Sequence, residues 1–352
     1  MVWAEAKYEA VPPSTIREEV IVRALFIGGT GNISTAVSKL AIERGIELYL
    51  FNRGKKVSAV PGAKYIIGDI TRPDEITSTL KGRDWDVVVN WIAYQEADVE
   101  RDYELLKGRT KQYVFISSAS VYQRPLSFPI VTESTPLCNP FWQYSRNKIA
   151  CEMKLDSYYR QEGFPITIVR PSLTYDTVIP VPIGGWTEYT VVDRMKRGKK
   201  IIVHGDGSSL WTITHAEDFA KGFVGLLAHQ QAIGQAFHIT SDEILTWDQI
   251  HQAIAGAVGC EANIVHIPSD CLGTFDENLR GSLLGDKSTS VIFDNTKIKR
   301  FVPGFAATIP FKQGIKRTID WFEAETARRI VRKETNDLID RMIRQHEKAF
   351  VL

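Results

Sequence analysis

Short, continuous apolar runs alternate along the first half of the chain with segments whose apolar residues recur every three or four positions. Val22 to Ile27 is such a run and ends in glycines; Ser34 to Glu43 follows with Val37, Leu40 and Ala41 at helical spacing. Leu48 to Phe51 and Tyr65 to Ile67 read as the next strands, Asp74 to Leu80 as a helix, and Val87-Val88-Val89 as a buried strand. Val114 to Ile116 leads into a serine cluster, Gln143 to Glu162 is a long helix, and Ile166 to Val169 closes the series. Strands that are apolar throughout and separated by helices predict an α/β fold, a doubly wound parallel sheet covered on both faces.

After Pro171 the texture changes. Ile179-Pro180-Val181-Pro182-Ile183-Gly184-Gly185 is rich in proline and glycine, with Trp186 and Tyr189 close behind. Aromatic loops of this kind shape pockets. His215 to Leu227 reads as helical, Ala236 to Thr240 as a strand returning to the main sheet, and Trp247 to Val258 as a further helix. These boundaries predict a main sheet domain from 22–175 and 214–240, and a smaller α/β domain from 176–213 and 241–321. Residues 322–352 are highly charged, with Val331, Leu338 and Met342 at helical spacing, and predict one terminal amphipathic helix.

Composition narrows the function classes. The 352 residues carry 43 basic and 42 acidic side chains, a net charge of +1, which argues against general binding to nucleic acid or to a membrane surface. Cys138, Cys151, Cys260 and Cys271 are far apart, with no CxxC and no ligand-like pairing with histidine, so neither a disulfide framework nor a metal site is expected. The first twenty residues contain Glu5, Glu9, Glu18 and Glu19 and no signal-like apolar run, and no stretch approaches the length of a membrane span. A soluble, cytoplasmic protein is the expectation.

The candidate chemistry lies in an ordered set of short motifs. Gly28-Gly29-Thr30-Gly31 follows the first strand, and Asn32 and Ile33 lead into the helix at Ser34. That is the context in which a glycine turn and a helix N-terminus hold a pyrophosphate. Phe51-Asn52-Arg53-Gly54-Lys55-Lys56 ends the second strand without an acid, so Arg53 is placed to grip a 2′-phosphate and NADP is favoured over NAD. Gly68-Asp69-Ile70 and Asn90 to Ala93 end the next two strands beside the expected adenine and ribose. Ser117-Ser118-Ala119-Ser120-Val121-Tyr122 follows the strand at Val114, and Tyr144 and Lys148 lie four apart on one face of the long helix. An ammonium near a phenol favours the phenolate, so the pair reads as a proton-transfer device beside a hydride carrier.

With Arg170-Pro171 and Gly205-Asp206-Gly207 followed by His215 and Asp218, these motifs resemble an extended short-chain dehydrogenase/reductase, the group of nucleotide-sugar epimerases and dehydratases. The resemblance covers roughly Val22 to Trp321 and implies a Rossmann-type fold, with an NAD(P)-binding domain at 22–175 and 214–240 and a substrate-binding domain at 176–213 and 241–321. It implies Tyr144 as general acid/base, Lys148 as the residue that lowers its pKa and holds the nicotinamide ribose, and Ser118 as the hydroxyl partner. The cofactor would meet Gly28, Thr30, Gly31, Asn32, Ile33, Asn52, Arg53, Asp69, Ile70, Asn90, Ala93 and Pro171 as well as Tyr144 and Lys148. Ser118, Ser120, Tyr175, Trp186 and Trp211 are the candidates for substrate contact, and a homodimer is implied.

Three departures bear on the substrate. Ala119 and Ser120 stand where the dehydratases carry an Asp-Glu pair, which argues against a sugar 4,6-dehydratase. Trp211 stands near the place of an arginine that grips the diphosphate in relatives. Ser172-Leu173-Thr174-Tyr175-Asp176 replaces the usual asparagine followed by Tyr-Gly. His204 and His215 read as structural. The reading is an NAD(P)-dependent epimerase or oxidoreductase acting on a sugar or nucleotide-sugar, with an inactive nucleotide-sensing or RNA-binding protein of the same fold as the alternative.

Overall fold

The computed structural model describes residues 21–54, 59–80 and 82–348. Glu5, Glu9, Glu18, Glu19, Lys55 and Lys56, and the last four residues of the expected terminal helix, lie outside them. A seven-stranded sheet organises the molecule: β1 (Arg23–Ile27), β2 (Glu47–Asn52), β3 (Lys64–Ile67), β4 (Val87–Asn90), β5 (Tyr113–Ile116), β6 (Ile166–Pro171) and β7 (Gln235–Ile239). All neighbours are parallel, in the order β7-β6-β5-β4-β1-β2-β3. The chain leaves β1 in one direction through β2 and β3, then crosses to β4 on its other side. A crevice at the carboxyl ends of β1 and β4 follows from that reversal.

Alternate residues of the strands feed two cores. Ala24 and Phe26 face α1 (Ser34–Glu43) and α5 (Ala216–Val224), where Val37, Ala41, Phe219 and Phe223 are buried. Leu25 and Ile27 face α3 (Glu96–Leu106) and α4 (Gln143–Glu162), where Val99, Tyr103, Cys151 and Leu155 are buried. A helix α2 (Pro73–Leu80) joins β3 to β4. The apolar strand runs read from the sequence are thus strands buried on both sides, and the run at Ala236 returns to the sheet beside β6.

The remainder of the chain packs at the carboxyl end of this sheet. Leu173–Tyr175 pairs in parallel with Ile213–His215, and Ile201–His204 with Ile264–Ile267. Helices α6 (Trp247–Ala257) and α7 (Phe311–Ala324) close a core that holds Trp211, Trp247, Ile250, Phe311 and Ile315.

The C-terminal segment corrects the expectation of one continuous helix over 322–352. Helix α7 ends at Ala324, a short turn spans Thr326–Arg328, and α8 runs from Lys333 to Lys348. The break has a physical cause. Backbone groups between the helices bond to a neighbouring loop rather than along a helix: Tyr189 N donates to Ile330 O at 2.7 Å and Arg332 N to Thr190 Oγ1 at 3.0 Å. Met342 is buried as expected and Ile339 and Ile343 join it, whereas Val331 is exposed. Among the described residues, no helix is long and apolar enough to cross a membrane.

Candidate active site

The carboxyl ends of β1, β2, β4, β5 and β6 open into a cleft of about 1030 Å³. Its floor is the glycine turn. Gly28 and Gly29 have φ of +98° and +91°, a region costly for any residue with a Cβ, and a Cβ on Gly29 would lie 2.6 Å from Leu50 Cδ2. Helix α1 begins directly above the turn. It has no side-chain cap and no acid in its first turn, so its free N–H groups and positive dipole end face the cleft. Those features fit an anionic pyrophosphate.

Around this floor the structure sorts the candidate cofactor residues. Gly28, Thr30, Gly31, Asn32, Ile33, Asn52, Arg53, Asp69, Ile70 and Pro171 all line the cleft. Asn32 is committed elsewhere: its Nδ2 donates to Thr174 O at 2.9 Å and its Oδ1 accepts from Asp176 N at 3.0 Å, tying the turn to the Leu173–Tyr175 strand. Asn52 accepts from Gly54 N at 2.9 Å, which leaves its Nδ2 buried without a partner at the cleft wall. Arg53 is exposed, within electrostatic reach of Asp69, whose pKa is lowered first by the Thr71 N–H and hydroxyl and then by Arg53. Asn90 and Ala93 lie behind the cleft wall instead of on it. Asn90 is fully buried, donates to Asp102 and accepts from Ile92 N at 2.8 Å, so it shapes the turn after β4. Ala93 contributes its carbonyl to Lys148.

Ser118, Tyr144 and Lys148 meet at the inner end of the same cleft. Ser145 Oγ donates to Ser120 Oγ at 2.7 Å, and Ser120 Oγ lies 2.9 Å from Ser118 Oγ. Ser118 Oγ also accepts from Ser120 N at 3.2 Å and shares a hydrogen bond with the Tyr144 hydroxyl. With its acceptor side occupied from within, Ser118 turns its own proton towards the Tyr144 oxygen, and a substrate oxygen would have to take that place. Ser120, expected to touch substrate, is buried and acts one step back in this chain.

The electrostatics of the pair depart from the sequence reading. Burial pushes the Tyr144 phenol up, opposed in part by Ser118, and Lys148 does not pull it down. The Lys148 ammonium is itself buried. It donates to Ala93 O at 2.6 Å and Ile116 O at 2.8 Å, and lies 4.6 Å from the Tyr94 ring centroid but 5.9 Å from that of Tyr144. Its own pKa is lowered to about 8, chiefly by burial. The phenol therefore holds its proton at neutral pH in this state.

The substrate candidates are divided. Trp186 lines the cleft, half exposed, with an unusual φ of +61°. Tyr175 and Trp211 do not reach it. Tyr175 is wholly buried against Phe311 and His215, and Trp211 packs on Trp247 in the core below. His204 is buried against Trp247, while His215 caps α5 by accepting from Glu217 N at 3.2 Å. Among the described residues, no group of three or more His, Cys, Asp or Glu is placed to hold a metal ion. Trp91 and Ile92, within the stretch Asn90 to Ala93 expected beside the ribose, line the cleft wall after β4, and sequence reasoning missed Tyr94, Asp98 and Arg101, which continue it. Only the aromatic-rich Trp91-Ile92-Ala93-Tyr94 stretch hinted at them.

Residues 104–240 match the profile of the NAD dependent epimerase/dehydratase family. The chain is 26% identical over 259 residues to the chloroplast stem-loop binding protein of 41 kDa b of Arabidopsis thaliana, covering 69% of this chain and 65% of the relative, just under two thirds of its length. It is 24% identical to 2'-dehydrokanamycin reductase of Streptomyces kanamyceticus, over 72% of this chain and 71% of that one. The solved structure of dTDP-glucose 4,6-dehydratase from Bacillus anthracis str. Ames in complex with NAD superposes with a TM-score of 0.68 at 21% identity, covering 87% of this chain and 98% of the other. That likeness shows the fold, the parallel Rossmann sheet with its crevice. The likeness to the NAD dependent epimerase/dehydratase family thus lies in residues 104–240, and the likeness of the whole chain to the solved structure is one of fold.

Proposed function

We propose that the protein is an NAD(P)-dependent epimerase or oxidoreductase acting on a sugar, with a nucleotide-linked sugar as the substrate class. The carrying observation is the hydroxyl chain Ser145–Ser120–Ser118 ending on Tyr144 at the inner end of a cleft floored by the glycine turn. The likeness to 2'-dehydrokanamycin reductase and to dTDP-glucose 4,6-dehydratase supports an activity of this class, and the absence of an Asp-Glu pair after Ser118 separates it from the 4,6-dehydratases.

The glycine turn, the open N-terminus of α1 and the unpartnered Asn52 Nδ2 fit a dinucleotide, with Lys148 and Tyr144 at the nicotinamide end. Bound there, the cofactor would supply hydride acceptance and donation. Ser118 would hold the substrate oxygen by donating its hydroxyl proton. Tyr144, protonated at rest, would give its proton to a carbonyl oxygen in reduction; in the reverse sense it must first lose that proton, and as the phenolate it would then take the proton of the alcohol. Lys148 would fix the ribose and supply positive charge beside the phenol. Arg53 favours NADP over NAD, since a forked guanidinium matches a 2′-phosphate. The domain division at 176–213 and 241–321, and a homodimer, belong to the same reading; sedimentation at twice the monomer mass would support the dimer.

The test is turnover of nucleotide-sugars with each cofactor, followed by absorbance for net oxidoreduction and by NMR for epimerisation. Tyr144→Phe should bind cofactor normally and lower turnover by about 10²-fold or more. Near-normal turnover would remove Tyr144 from the mechanism. Arg53→Ala should weaken NADP by about 1.5–3 kcal/mol, the scale of a hydrogen bond to a charged group, and NAD much less. Equal weakening of both, or a wild-type preference for NAD, would sink the NADP assignment. A second reading, RNA binding, is favoured by the name of the Arabidopsis relative alone. Binding of a stem-loop RNA at physiological salt, without sugar turnover, would establish it in place of the first.

A further inference from the structure

Five buried polar atoms without hydrogen-bond partners attach to one short stretch of the substrate half, residues 286–291. They are Arg124 Nε and Nη2, His204 Nδ1, Trp211 Nε1 and Thr289 Oγ1. His204 Nε2 and Trp247 Nε1 both meet Lys287 O at 3.1 Å, and Trp211 packs on Trp247. Val291 N donates to Leu210 O, next to Trp211, at 3.0 Å. Buried polar groups left unpaired are rare and destabilising, so each calls for a partner.

Arg124 is the most exacting member. Its side chain is 1% exposed, and Asp286 lies 3.7 Å from Nη2, too far for a hydrogen bond. Asp286 is instead held by Lys287 Nζ at 2.9 Å. The local charges are Arg124, Lys287 and Asp286, net positive; Arg124 Nη1 donates to Gln123 O at 3.4 Å, and the Nε and Nη2 edge of its guanidinium is unused. The Leu283–Lys287 segment is a π-helical turn, a geometry found most often as single turns at functional sites. Asn139 Nδ2 clamps it to the serine segment, donating to Gly285 O and Ser120 O at 2.7 Å each. Lys287 lies over the Trp142 ring, which packs 4.8 Å from the Tyr144 ring. The unused edge is thus linked to Tyr144 through Asp286, Lys287 and Trp142 in turn.

We propose that Arg124 is an oxyanion-binding residue of the substrate site, holding a carboxylate or phosphate carried by the sugar on the Trp142 side of Tyr144. This rests on the sugar-acting reading above and specifies its substrate class as an acidic sugar or a sugar phosphate. An anion enters by displacing the Asp286 carboxylate, which stays with Lys287, and takes the fork bidentately.

The proposal is tested by calorimetric titration of the full chain, saturated with cofactor, using two pairs of probes. UDP-glucuronate against UDP-glucose reads a carboxylate, and glucose 6-phosphate against glucose reads a phosphate. The acidic member of one pair should bind at least about tenfold more tightly, and which pair does so identifies the source of the oxyanion. Arg124→Gln should abolish that preference while cofactor affinity is unchanged. Arg124→Lys, a point charge without the fork, should retain only part of it. If the glutamine variant no longer binds cofactor, the lysine variant decides, and full retention of the preference overturns the proposal. No preference in wild type, or a preference that survives Arg124→Gln, also overturns it. An Arg124-dependent preference in a protein with no hydride turnover would sink the catalytic reading and leave the anion site standing.

Discussion

Tyr144 and Lys148 are both buried, and burial moves both towards their neutral forms, the phenol upwards and the lysine downwards to about 8. The sign matters for each property that depends on Lys148. Its folded pKa lies below the unfolded value near 10.4. Between the two, the unfolded chain binds more protons, so this group's contribution to stability rises with pH across that window. Cofactor binding runs the other way, because the ammonium is present below about pH 8 and lost above it. If only that form holds the ribose, affinity should fall about tenfold from pH 7 to pH 9, by the ordinary titration of one group. Lys148→Met should bind cofactor more weakly and without that slope; a slope equal to wild type would exclude Lys148 from the contact. Ser118→Ala should cost less turnover than Tyr144→Phe, since it removes a hydrogen-bond donor and leaves the proton-transferring oxygen in place. A larger loss at Ser118 than at Tyr144 would reverse those roles.

The β1–α1 unit shows how one element specifies part of the site. At Gly29 both the φ of +91° and the 2.6 Å approach of Leu50 Cδ2 oppose a side chain, whereas at Gly31 the nearest contact to an added Cβ is Ser34 Oγ at 3.4 Å. Gly29→Ala should lower stability by about 1–3 kcal/mol, the combined scale of backbone strain and overpacking. Gly31→Ala should stay within about 1 kcal/mol of wild type. Denaturant midpoints decide it, and equal effects would show that the turn itself is not under constraint. This element was fully legible beforehand, because apolar run, glycines and helical spacing agree; the bounds of α1 and α4 fall where the periodicity puts them. Helix α3 was not, since Glu96–Leu106 carries acids through most of its length and its buried stripe includes Asp102. That carboxylate is tolerated because Asn90, Tyr113 and Arg101 all donate to it. Such long-range partners leave no periodic trace, and neither did the orphaned Arg124 nor the burial of Tyr175 and Trp211.

At the scale of the molecule, α8 couples the C-terminal segment to the cleft. Ile339, Met342 and Ile343 are buried against Ile183, Ile202, Ile267 and Leu272. The Arg194 guanidinium is buried beneath the same helix, bonded to Asp340 at 2.6 Å and Asn336 Oδ1 at 3.0 Å. Between Ile183 and the Tyr189–Ile330 hydrogen bond lies Trp186, the one substrate candidate of this loop that lines the cleft. A Cβ placed on Gly184 would lie 3.2 Å from Ile339 Cδ1, so that side chain presses directly on the loop. Ile339→Ala should therefore do two things. It should cost about 2–5 kcal/mol of stability, as expected for a large-to-small change in a packed core. It should also raise KM for the sugar several-fold while cofactor affinity stays constant, because the loop bearing Trp186 loosens and the glycine turn does not. Thermal unfolding and cofactor titration on one preparation separate the effects. Lost stability with an unchanged KM would reduce α8 to a cover for apolar surface and leave Trp186 positioned by its own loop, through the paired hydrogen bonds it makes with Ile179 at 2.6 and 2.9 Å.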